Sequence, residues 1–76
     1  MDINKIKEII AKHAKVDVNN LDENLRFKED LHLDSIDLFQ LVMEIEETFS
    51  IKIDDSLLLN ITTVKDAIDR ANDARS

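Results

Sequence analysis

None of the 76 residues is glycine or proline, although an average chain carries about 7% of the first and 5% of the second. Glycine enters left-handed backbone without a steric cost, and the tightest strand-to-strand turns depend on it. A chain lacking both residues has few means of folding strands back on themselves, so helices are expected throughout. The length allows a single domain, residues 1–76, with one small core.

Cysteine is also missing, which excludes disulfides, thiolate catalysis and cysteine-based metal sites, and fits a reducing compartment. Met1-Asp2-Ile3-Asn4-Lys5 has no apolar run behind it, and uninterrupted apolar stretches are as short as Leu57-Leu58-Leu59. Neither a secretory signal nor membrane insertion is expected, which points to a cytoplasmic protein. The net charge is −7, the wrong sign for nucleic acid or an anionic membrane as the main partner. The acids are unevenly placed. Asp30, Asp34, Asp37, Glu44, Glu46, Glu47, Asp54 and Asp55 fall between positions 30 and 55 with Lys52 as the only lysine or arginine, whereas the first helix carries Lys5, Lys7, Lys12 and Lys15.

Apolar spacing locates the helices. Ile3, Ile6, Ile10 and Ala14, with Ile9 beside them, share one face of a helix over about 3–14 that Asp2 is placed to cap. Residues 15–34 hold Asp17, Asn19, Asn20, Asp22 and Asn24, which favour turns. Val16, Val18, Leu21, Leu25, Phe27, Leu31 and Leu33 interrupt them, so this long connection is expected to be pinned on the core. The next helix, about 35–49, has two apolar stripes: Leu38, Leu41, Val42, Ile45 and Phe49 on one face, and Ile36, Phe39 and Met43 on another. A short helix is expected around Leu57–Leu59, behind Asp54 and Asp55. Thr63-Val64-Lys65-Asp66 reads as a capping box opening a last helix whose apolar face is Val64, Ala67, Ile68 and Ala71. The fold class is all-α: a small four-helix bundle, three helices longer and one short, with a long first loop.

The candidate site is Ser35, between Asp34 and Asp37 at the start of the second helix. Asp34 or Ser35 serves as the cap. With Asp34 in that role, the serine hydroxyl stands in the first turn, where the helix end favours a phosphate. A serine nucleophile of its own needs a base and oxyanion donors. Only His13 and His32 are available, the first at the edge of the core face and the second among acids. Asp17, Asn19 and Asp22 begin like a calcium loop, but its glycine and closing glutamate are missing. No metal site is expected.

Asp30-Leu31-His32-Leu33-Asp34-Ser35-Ile36-Asp37 resembles the attachment motif of acyl carrier proteins, and the segments Leu41–Phe49 and Ile61–Asp69 resemble that family's second and last helices. The resemblance implies that a separate phosphopantetheinyl transferase joins 4′-phosphopantetheine from coenzyme A to Ser35, with Asp34 supporting attachment by helping to hold the transferase's magnesium. It implies a non-catalytic, monomeric carrier of acyl chains, as thioesters, for the enzymes of fatty-acid synthesis. Those enzymes would use basic patches to dock on Ile36, Asp37, Phe39, Met43, Glu46 and Glu47. The acyl chain would lie against Leu38, Ile45 and Ile61. Three positions depart from the family pattern: His32 replaces a glycine, Asp54 a proline and Gln40 a glutamate. Other readings remain open at this point: a carrier dedicated to polyketide, aminoacyl or special lipid cargo, an acidic helical interaction module, or a hydrolase.

Overall fold

Asp2 opens the first helix as expected, its carboxylate accepting the Lys5 N–H at 3.2 Å. The computed structural model describes residues 2–75, apart from the Leu57 side chain. Its main elements are α1 (Ile3–Ala14), α2 (Ser35–Phe49) and α3 (Val64–Arg75), with a 3-10 turn at Val18–Asn20 and a 3-10 helix at Asp55–Asn60. The short fourth helix is thus 3-10 in geometry, and its six residues exceed the three or four that such a run usually reaches.

The core is built from the stripes that periodicity picks out. Ile6, Ile9 and Ile10 of α1, Leu38, Leu41, Val42 and Ile45 of α2, and Val64, Ala67, Ile68 and Ala71 of α3 are all buried in one cluster. Ile3 departs from its expected place and is exposed, because it begins the helix beyond the edge of the bundle. In the long connection Leu21, Phe27, Leu31 and Leu33 are buried, whereas Val16 and Val18 stay in solvent. Asp17 and Asp22 are turn builders here, accepting the N–H groups of Asn19 and Asn24 at 2.8 Å each.

A short antiparallel bridge pairs Arg26 with Thr63 and ties the connection to the start of α3. Phe27 donates its N–H to the Thr62 carbonyl at 2.9 Å, and Val64 donates to the Leu25 carbonyl at 3.0 Å. The box at α3 forms as expected. Thr63 Oγ1 accepts from the Asp66 N–H at 3.2 Å, and Asp66 Oδ2 accepts from the Thr63 N–H at 3.0 Å.

Without glycine, the chain still makes left-handed turns, among the described residues at Lys15, His32 and Ser50, with φ of 59°, 58° and 54°. Lys15 and Ser50 terminate α1 and α2. His32 reverses the backbone so that the Leu33 N–H returns to the Phe27 carbonyl at 2.8 Å and Leu33 enters the core. Each such residue carries a steric strain that glycine would not.

Candidate functional site

Ser35 is placed by the cap that precedes it. Asp34 Oδ1 accepts the Asp37 N–H at 2.8 Å, and Asp37 Oδ2 accepts the Asp34 N–H at 3.2 Å. This reciprocal pair makes Asp37 part of the helix start, a role that its sequence position three after the cap could have signalled. Ser35 is then the first helical residue, and it is exposed. Among the described residues its hydroxyl has no hydrogen-bond partner, His32 included. The site therefore has a free hydroxyl at a positive helix end and no base directed at it.

Two depressions open beside that hydroxyl. One, about 450 Å³, runs between α2 and the 3-10 helix, with Leu38, Phe39, Leu58, Leu59 and Ile61 among its walls and Phe27, Lys28, Glu29, Ser35 and Asp55 also lining it. The second is a shallow groove of Lys28, His32, Leu33, Asp34 and Ser35. Leu38 and Ile61, two of the expected chain-binding residues, line the first of these, the apolar cavity. Ile45 does not: it is fully buried in the core on the same helix. Lys28, Leu58 and Leu59 are lining residues that sequence reasoning missed. For the leucines a signal existed, since three in a row on so short a helix cannot all turn inward.

The second stripe of α2 faces solvent. Ile36 is 68% exposed, and Phe39 and Met43 are 45% exposed each, so the long connection leaves it uncovered. Glu47 is exposed beside it. Glu46 is half-buried, and its Oε2 accepts the Ile53 N–H at 2.7 Å, so this carboxylate also fastens the segment after α2. Glu44 turns the other way and joins α2 to α1. Its carboxylate meets Lys12 Nζ at 2.6 Å and His13 Nε2 at 2.8 Å. The Lys12 hydrogen bond, followed by that of His13, holds the Glu44 carboxyl below its ordinary 4.5.

Among the described residues no group of three or more histidines and acids converges as a metal site, and no helix is long and apolar enough to cross a membrane. The arrangement suits covalent attachment: an exposed hydroxyl, first-turn N–H groups that favour phosphate, and an apolar cavity beginning at the same residue.

Comparison with known proteins agrees. Residues 4–71 match the family described as the phosphopantetheine attachment site. The acyl carrier protein of Onion yellows phytoplasma is 47% identical over 68 residues, covering 90% of this chain and 90% of its own. That of Rubrobacter xylanophilus is 43% identical over 67 residues, covering 88% and 83%. The crystal structure of an acyl carrier protein from Thermotoga maritima superposes with a TM-score of 0.80 at 38% identity, covering 96% of this chain and 85% of that one. With a serine so placed, a matching fold and relatives this similar, the chain belongs to the acyl carrier protein family.

Proposed function

We propose that this chain is a single carrier domain that holds acyl groups on a 4′-phosphopantetheine arm joined to Ser35 Oγ and presents them to the enzymes of fatty-acid biosynthesis. The observation that carries the reading is the exposed Ser35 hydroxyl at the first turn of α2, opening onto an apolar cavity, in a chain matched to the phosphopantetheine attachment family across residues 4–71. The residues fit the arm. The N–H groups of Ser35 and Ile36 have no intrahelical acceptor and can receive phosphate oxygens, while Leu38 and Ile61 offer apolar wall to what lies beyond. When bound, the arm supplies the thiol that a chain without cysteine lacks, and acyl groups are held there as thioesters.

The chain itself contributes placement rather than catalysis. Asp34 orients the helix start on which Ser35 is displayed and supports attachment, and the base that takes the serine proton belongs to the phosphopantetheinyl transferase. Ile36, Phe39 and Met43 form the apolar part of the docking face, and Asp37, Glu46 and Glu47 its acidic border. Partners with basic patches are steered by the charge and gripped by the apolar strip. A chain that meets its partners in this transient way works as a cytoplasmic monomer.

The test is loading. Incubation of the protein with coenzyme A and a phosphopantetheinyl transferase is expected to raise its intact mass by one phosphopantetheine, and Ser35→Ala is expected to stay unmodified with its helical spectrum intact. No gain by the wild type, or a gain by Ser35→Ala, overturns the assignment.

A further inference from the structure

The carrier reading leaves the charge of Lys28 without a role. Among the described residues, Lys28 and Ser35 line both depressions, so both stand where the apolar cavity meets the open groove. The acids nearest to Lys28 in sequence are engaged elsewhere. Arg26 Nε lies 3.1 Å from the Glu29 carboxylate and 3.8 Å from that of Asp30, and Asp30 also accepts the Arg26 N–H at 2.7 Å. Asp34 and Asp37 each commit a carboxylate oxygen to the cap of α2. Among the described residues, the Lys28 side chain has no ion pair or hydrogen bond. In a protein of net charge −7, a cation with no ion pair of its own lines the same two depressions as the hydroxyl that receives an anionic ester.

Resting on the carrier reading, we infer that Lys28 is a positioning residue that pairs with the phosphodiester on Ser35 Oγ and holds it at the junction of the two depressions. A lysine suits this task. Its ammonium is a point charge with three donors on a flexible stem, able to follow phosphate oxygens from an exposed wall. His32 lines the groove alone, so Lys28 is the cation common to both paths the arm can take. Anchored at the junction, the phosphodiester is held against the repulsion of the carboxylates that line the two depressions, Asp34 in the groove and Glu29 and Asp55 in the cavity, and the uncharged remainder of the arm is directed towards the apolar walls of Leu38 and Ile61.

Phosphorus NMR of the holo protein tests the pairing. Wild type, Lys28→Gln and Lys28→Arg are loaded with excess transferase, and loading is verified by intact mass before spectra are taken at low and moderate salt. The wild-type signal is expected to shift as salt is added, because ions screen the pair over a Debye length of about 10 Å at 0.1 M. The Lys28→Gln signal should differ from wild type at low salt and respond less to salt, while Lys28→Arg keeps the wild-type response. In addition, the rise in melting temperature from apo to holo should be smaller in Lys28→Gln than in wild type. Coincident phosphorus signals with the same salt response in wild type and Lys28→Gln overturn the pairing. Failure of wild type to load overturns the carrier reading, and the inference falls with it.

Discussion

Replacing Ser50 by glycine removes a Cβ from a residue held at φ 54° and ψ 47°. In left-handed backbone the Cβ crowds the following carbonyl oxygen, at a cost of roughly 1–2 kcal/mol. Glycine avoids that contact, but its extra freedom in the unfolded chain opposes folding by roughly 0.5–1 kcal/mol. The difference is a net stabilisation of about 0–1.5 kcal/mol, centred near about 0.75 kcal/mol. Ser50 is the best of the three left-handed positions for the measurement. It is exposed, and its backbone bond to the Glu46 carbonyl survives the change. Lys15 would lose a favourable charge at the carbonyl end of α1 along with its Cβ, and His32 borders the attachment groove. In a domain of this size 1 kcal/mol moves the melting temperature by about 4–8 °C, so at the central value Ser50→Gly should melt about 3–6 °C higher. Thermal and urea unfolding followed by circular dichroism reads the shift. Ser50→Ala keeps the Cβ and should gain nothing. A glycine variant no more stable than the alanine variant would refute the steric account.

Glu46→Ala leaves the half-buried Ile53 N–H without its acceptor and should lower stability by about 1–3 kcal/mol in urea unfolding, whereas Glu46→Gln, which keeps an acceptor oxygen, should recover most of the loss. Glu44 has its folded-state pKa lowered, chiefly by the Lys12 hydrogen bond, so its contribution is full above its ordinary 4.5 and is lost as pH falls through the lower folded value. The gap in melting temperature between wild type and Glu44→Gln should therefore be widest near neutrality and close in acid. Met43→Ala and Glu47→Lys should each weaken transferase binding with little change in melting temperature. In surface plasmon resonance, moderate salt should abolish the Glu47→Lys effect, which acts on the association rate, and leave the Met43→Ala effect in place.

The bounds of α1 and α2 were legible because caps and apolar period agree there: Asp2 and Asp34 mark the starts, and Leu38, Leu41, Val42 and Ile45 the buried face. Ser35 was legible for the same reason, since a cap at Asp34 determines where the next side chain stands. What escaped reading depends on contacts between distant segments. Glu44 lies on a solvent-facing sector of α2 by period, and nothing local reveals that Lys12 and His13 of α1 reach it. The pairing of Phe27 with Thr62 and of Val64 with Leu25 joins segments far apart in the chain, with too few residues in extended backbone to leave an alternating pattern. Ile45 and Leu38 share one stripe, yet only Leu38 lines the cavity, because distance along the helix decides which of them reaches the 3-10 side. Lys28 needed the folded connection to bring it beside Ser35.

The cavity has walls of different stiffness. One wall is α2, clamped to α1 through Glu44 and to the segment beyond it through Glu46. The opposite wall is the 3-10 helix Asp55–Asn60, held by short-range bonds: Asp54 Oδ1 accepts from the Ser56 N–H and hydroxyl at 2.9 Å each, and the Ile61 N–H returns to the Leu58 carbonyl at 3.2 Å. Leu59 projects from this wall 90% exposed, so little packing resists its displacement. Among the described residues the three α-helices make their principal contacts with one another, while the 3-10 helix meets the core chiefly through the partly buried Leu58. If the cavity takes the acyl chain, as proposed, a bulkier guest is expected to displace the 3-10 side before it disturbs α2 and the core.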